Sequence, residues 1–303
     1  HRIFFPKLIV ILDTIFSSLN TKNLMYMSWI FATLTIYPLY ELLKKINFNM
    51  VWLIIPISII LYSPRQWENF LWGFELVWFL TLASMTWTIY FLSKSGKFTF
   101  FMSILCAIVS SFSLFLGLII WPIGLIGILS SENRLKKLLI WVLTSVIIYV
   151  VYFMDWHPVA QNNIVLSTQN FDQFSAFIFT YMGSVFVTPY DYIKLIFGIG
   201  LLLGLFVGML FSYSRLKNLS SIIPWFQFGL IGIFSSLITG IGYQYAGPAA
   251  ATASRYVTIS NSLLISFFVF FVLSIMLLWK KHVSKNSKII LSAIFIFILI
   301  FGS

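Results

Sequence analysis

Apolar residues run through the chain in long stretches, at 24–41, 48–62, 70–92, 98–111, 114–130, 135–153, 192–213, 219–241, 257–279 and 287–303, separated by short polar breaks. Residues 114–129 are apolar around the whole of a helical wheel, as a helix surrounded by lipid or by other apolar helices is. A membrane-spanning strand would instead alternate polar and apolar positions over about ten residues. Crossing the hydrocarbon core takes about 20 apolar helical residues. The pattern therefore predicts an all-α protein, a polytopic transmembrane helical bundle with about ten membrane-spanning helices. The short runs 48–62 and 98–111 suit the inside of such a bundle better than thick lipid.

Composition agrees with this reading and sharpens it. At 60% hydrophobic and 9% charged, 303 residues lack the polar surface to coat a water-soluble globule. The lipid bilayer is the expected partner. A net charge of +11 would suit a nucleic-acid binder, but the basic residues are spread through short loops instead of gathered on one surface. No nucleic acid is expected.

Those charges give the bundle a direction. Lys44, Lys45, Lys94, Lys97, Arg134, Lys136, Lys137, Arg215, Lys217, Lys280, Lys281, Lys285 and Lys288 all fall in loops on one side of the expected topology. By the positive-inside rule that side is cytoplasmic. Opposite them, residues 1–23, 63–69, 154–191 and 242–256 hold Arg2, Lys7, Lys22, Arg65 and Arg255, with Lys194 at the start of the next run. The alternation also places two awkward stretches. Residues 3–19, interrupted by Pro6, Lys7 and Asp13, read as an interfacial helix near the N-terminus. Residues 174–187 read as re-entrant or interfacial, because a crossing there would move Arg215 and Lys217 to the outer side. No repeat, linker or shift in composition divides the chain, so 1–303 is expected to be a single transmembrane domain. The chain opens on His1, and a native first helix with part of the first outer loop is expected to precede it. Short basic loops, and a lone Cys106 that excludes an intrachain disulfide, suit a prokaryotic plasma membrane.

Candidate chemistry gathers on the outer side. In Ser63-Pro64-Arg65-Gln66-Trp67-Glu68-Asn69, followed by Trp72, Gly73 and Glu75, the positions of Glu68, Trp72 and Glu75 predict one helical face. An acid inside the apolar phase is costly unless it pairs or lines a wet cavity, so Glu75 is either a functional group or a structural partner of Arg65. Arg65 and Trp67 also suit simple anchoring at the lipid interface. Further on, Tyr243-Gln244-Tyr245-Ala246-Gly247-Pro248 leads to Ser254-Arg255-Tyr256. Arg255 stands at an expected helix N-terminus, where free N–H groups and the dipole favour an anion such as phosphate. The bland alternative is an arginine snorkelling to headgroups. Glu68, and Asp155 and His157 in the 154–191 loop, are weaker candidates for a catalytic acid or base, and the latter two are equally explained as solvated loop residues. No HExxH, paired cysteines, Walker lysine motif or GxSxG occurs, so no metal site is assigned and no cofactor is implied. A divalent metal is unsupported by the residues.

The chain resembles the multi-spanning C-type (GT-C-like) superfamily of lipid-phosphosugar-dependent glycosyltransferases, in a prokaryotic branch. The resemblance is carried by His1-Arg2-Ile3-Phe4-Phe5-Pro6-Lys7, the 63–69 cluster, Ser111-Phe112-Ser113 ahead of Gly117 and Trp121-Pro122-Ile123-Gly124-Leu125, and Ser254-Arg255-Tyr256. It implies a bundle with an outer-side cavity, in which an acid deprotonates an acceptor while basic residues hold a polyprenyl-phosphate leaving group. In that superfamily the main acid follows the first spanning helix, which here would precede His1, so the catalytic base is unassigned. The resemblance puts Arg255 on the phosphate of a polyprenyl-phosphate-linked sugar, assisted by Arg2 or Arg65. Glu68, Asn69, Trp72, Glu75 and Tyr256 complete the expected substrate-binding set. A transporter or flippase of a polar or lipid-linked substrate, or a polysaccharide polymerase or ligase, remains the alternative expectation.

Overall fold

The computed structural model describes residues 2–131, 134–154 and 171–279. Among them every regular element is helical. An N-terminal helix, α1 (Phe4–Ser17), leads through left-handed residues Ser18 and Leu19 into α2 (Thr21–Ile46), whose Lys22 N–H is capped by the Asn20 side chain at 3.1 Å. The short α3 (Ile54–Leu61) and α4 (Trp67–Leu71) follow, then α5 (Leu76–Leu92), α6 (Lys97–Ser111), α7 (Ile120–Leu129) and α8 (Arg134–Phe153). After them come α9 (Phe171–Met182), α10 (Asp191–Leu216), α11 (Leu219–Tyr243), the one-turn α12 (Gly247–Ala250) and α13 (Ser254–Trp279).

Nine of the ten apolar runs appear as helix, and the tenth, 287–303, lies outside the described residues. Among the described residues, five helical stretches are long and apolar enough to cross a membrane: Gly73–Leu92, Arg134–Phe153, Asp191–Leu216, Leu219–Tyr243 and Ser254–Leu278. The 26-residue α2 is long enough but less apolar, while Lys97–Ser111 and Phe115–Leu129 are apolar but short. The 48–62 run is interrupted: a tighter 3₁₀ stretch, Phe48–Leu53, precedes α3.

The most apolar 18-residue windows of α5 and α11 are 78% buried and that of α13 is 61% buried, against 17% for α8 and 22% for α10. Three helices therefore make the centre, and α8 and α10 expose apolar flanks of the kind lipid covers. Close approach replaces the hydrophobic effect as the packing device where helices meet in lipid. A Cβ on Gly183 would lie 1.8 Å from Lys194 O, and one on Gly198 1.9 Å from Phe179 O. Only glycine lets the end of α9 touch the backbone of α10.

Prolines inside helices free carbonyls, and neighbouring aromatic donors take them up. Pro38 cannot bond Leu34 O, which receives Trp87 Nε1–H from α5 at 3.0 Å. Pro122 likewise leaves Leu118 O to Tyr149 OH from α8 at 3.0 Å. A relay of buried indoles joins α6, α7 and α8: Trp141 Nε1 donates to Trp121 O and Trp121 Nε1 to Ser111 Oγ, both at 2.9 Å. In a medium that supplies no water, each such bond satisfies a group that would otherwise cost several kcal/mol, roughly.

α2 and α5 run antiparallel, which sets two ends. Thr21 and Leu24 of α2 abut Gly73 just before α5, whereas Lys45 Nζ donates to Ser93 O at its close, at 2.7 Å. The 20 residues from Thr21 to Glu41 rise roughly 30 Å, about the thickness of a hydrocarbon core.

Candidate functional site

The segment between α3 and α5 does not form one helix. Ser63 caps the 3₁₀ turn Pro64–Gln66 by accepting Arg65 N–H at 3.3 Å, and α4 ends at Trp72, whose φ of −104° and ψ of 110° are extended. This overturns the single face expected for Glu68, Trp72 and Glu75. The physical reason is the extended residue between α4 and the 3₁₀ turn Gly73–Glu75, a turn wedged so tightly against Leu24 that a Cβ on Gly73 would sit 2.9 Å from that side chain's Cβ.

The segment is tied instead to the far end of the chain. Arg65 Nη2 donates to Thr252 O at 2.8 Å and its Nε to Ser184 O at 3.4 Å. Asn69 Nδ2 reaches Arg255 O at 2.9 Å and Thr258 Oγ1 at 2.6 Å, and Thr258 Oγ1 in turn donates to Gln66 Oε1 at 2.7 Å. Where α3 stops, Gln66 Nε2 donates to Leu61 O at 2.5 Å, and Asn261 Nδ2 donates at 3.2 Å to Ile60 O, which also accepts Ser63 N–H. Arg65 is thus committed to backbone oxygens and Asn69 is fully buried. Burial pushes the Arg65 guanidinium pKa down, with Glu68 nearby opposing the shift.

Around this clamp stand charged groups that the clamp does not use. Glu75 Oε2 accepts Trp78 Nε1–H at 2.5 Å, and the charges of Arg255 and Glu68 lie within electrostatic reach. Trp78 meets Tyr256 edge-on at 5.7 Å between ring centroids, and the Arg255 guanidinium lies 5.4 Å from the centre of the Tyr256 ring. Tyr181 covers the ring of Tyr256 at 5.2 Å. Trp67 and Trp72 form an edge-to-face pair at 5.9 Å, both about half exposed. Among the described residues, ion pairs join Glu41 to Lys44 and Lys94, and Asp191 to Lys194. Glu68, Glu75 and Arg255 take part in none of them, so the pairing of Glu75 with Arg65 considered from sequence does not occur.

Of the expected substrate set, Arg65, Glu68, Asn69, Glu75, Arg255 and Tyr256 converge, with Trp72 on the rim. Arg2 lies elsewhere, at the other end of α1, where it donates to Met154 O. Asp155 and His157 lie outside the described residues. No group of three His, Cys, Asp or Glu residues suited to a metal ion occurs among the described residues. Sequence reading passed over Trp78, Thr258 and Asn261. The first stands three residues from Glu75. The others continue a polar stripe, Ser254, Thr258 and Asn261, at helical spacing through an apolar run, a pattern that marks a face turned inward.

No family model matches the chain, and neither a curated protein nor a solved structure matches it.

Proposed function

We propose that this protein is a multi-pass membrane glycosyltransferase of the C-type kind. It would move a sugar from a polyprenyl-phosphate-linked donor to an acceptor at the end of the bundle remote from the lysine-rich loops. The observation that carries the reading is the trio of Arg255, Glu68 and Glu75, none of them in an ion pair among the described residues, gathered at the N-terminus of the long α13 beside exposed tryptophans. Arg255 and the first N–H groups of α13 supply positive charge where a phosphate leaving group develops negative charge. The half-exposed Trp67 and Trp72 offer ring faces and edges to a sugar. The lysine-rich ends are cytoplasmic in this reading, ten helices cross, and α1 lies in the outer interface of a prokaryotic plasma membrane.

The test uses membranes containing the full chain and a radiolabelled polyprenyl-phosphate sugar. Arg255→Ala should lower incorporation into endogenous acceptor at least 100-fold, in line with the loss of one group that stabilises developing charge, and Arg255→Lys should restore part of it. Unchanged incorporation in Arg255→Ala would overturn the assignment.

A second reading, a transporter of a polar or lipid-linked substrate, draws support from the interrupted helices at Trp72 and at 183–190, since broken helices line substrate paths in transporters. Flux of the same lipid-linked sugar in proteoliposomes without any transfer would favour it.

A further inference from the structure

The opposite end of the α2–α5 pair carries a second constellation. Two ammonium groups meet one carboxylate and a third lies near them. Lys44 Nζ lies 2.9 Å from Glu41 Oε1 and Lys94 Nζ 3.8 Å from Glu41 Oε2. Lys45 Nζ, which donates to Ser93 O, feels the charge of Lys94. Three positive charges against one negative leave a surplus of two, and three ammoniums carry more N–H donors than Glu41 and one carbonyl can accept.

The surplus is held in place. Lys44 sits over the Tyr40 ring at 5.2 Å and Lys94 over the Tyr90 ring at 5.0 Å, both from the ring centroid. The side chains of Lys44 and Lys94 remain 38% and 42% exposed, so each can turn a donor outward. Beneath them the seam between α2 and α5 is lined by Tyr37, stacked on Trp87 at 5.7 Å, and by exposed Leu34 and Ile30. Cations at the end of an apolar, aromatic seam match one kind of molecule: an anionic head on acyl chains.

The geometry points to a binding site for an anionic phospholipid, with its phosphodiester between Lys44 and Lys94 and an acyl chain along the α2–α5 seam. A zwitterionic lipid offers a phosphate too, but its own ammonium cancels the attraction, so the site discriminates by net charge. Glu41 competes with the lipid for both lysines. Its removal strengthens the site, the reverse of what a purely structural ion pair would do.

The experiment titrates the full-length protein, purified in nonionic detergent, with phosphatidylglycerol or phosphatidylcholine and counts bound lipid by native mass spectrometry. Phosphatidylglycerol should bind wild type more tightly than phosphatidylcholine. Lys44→Gln/Lys94→Gln should weaken it on the order of 30-fold, from the contribution of each lysine near a charged lipid surface. Lys44→Arg/Lys94→Arg should keep it, and Glu41→Gln should tighten it. The control Lys136→Gln/Lys137→Gln, which removes as much charge from the start of α8, should leave it unchanged. Equal affinity for the two lipids, equal loss in the control, weaker binding in Glu41→Gln, or displacement by millimolar inorganic phosphate would each overturn the site.

Discussion

The two ends of the α2–α5 pair hold similar charges and use them differently. At one end Glu41 meets its lysines directly, because Lys44 is one turn along the same helix and Lys94 follows the close of the neighbouring one. At the other, Glu68 and Glu75 have arginines in reach and pair with neither. Arg65 is spent on the carbonyls of Thr252 and Ser184, Arg255 rests on an aromatic ring, and Glu75 takes its hydrogen bond from an indole. Proximity of opposite charge does not make an ion pair when open backbone groups claim the cation first. Inside a bundle without water, those carbonyls are the stronger claim.

The sharpest way to break this comparison is to remove one cation from each end. Arg65→Ala leaves two partly buried carbonyls without donors and should lower stability by about 3 kcal/mol. Lys44→Ala, at a solvent-screened exposed pair, should leave stability almost unchanged. Reversible unfolding in mixed micelles measures both, and equal losses would erase the distinction between clamp and surface pair. Asn69→Ala comes next, at about 1–2 kcal/mol, since its side-chain amide links Arg255 O to Thr258. Trp87→Phe should cost about 1 kcal/mol by withdrawing the donor from Leu34 O. Arg255→Ala should change stability by less than about 0.5 kcal/mol, as expected of an exposed side chain outside the clamp. A large loss there would make Arg255 structural and remove it from the site.

The smallest effect concerns α1. Hydrogen bonds from Ser17 and then Asn23 hold the Asp13 carboxyl below its usual value of 3.8. A depressed folded pKa contributes stability above the unfolded value and loses it as pH falls through the folded one. Amide exchange in α1, taken relative to the intrinsic rate of unprotected amides at each pH, should therefore be steady from pH 7 to 5 and accelerate below about pH 4. In Asp13→Asn that acceleration should vanish, and its persistence would place the acid sensitivity elsewhere.

Much of this architecture was legible in the pattern of apolar residues, because a helix that lipid or other helices surround must be apolar all round. Helix starts near Lys97 and Ser254 were legible too. What sequence could not supply was the use of each polar group. Arg65 and Arg255 look alike, each among aromatic and polar neighbours, yet the fold consumes one on the 252 and 184 carbonyls and sets the other over an aromatic ring. The break at Trp72 was likewise hidden, since nothing in Asn69-Phe70-Leu71-Trp72-Gly73 forbids a continuous helix except the crowding of Gly73 against Leu24. The count of crossings is the other case. Short runs such as 98–111 form helices, but their length alone does not make them spans.

The reach of the Arg65 clamp has a consequence for how the molecule is made. Its partner Thr252 follows 187 residues later. At ribosomal speeds of about 5–20 residues per second, that interval lasts on the order of ten to forty seconds. Throughout it, the 63–75 segment is already synthesised while the Thr252 carbonyl that completes its clamp does not yet exist. The site is therefore among the last features to mature, and a nascent chain stalled before residue 184 carries an arginine with neither carbonyl to hold.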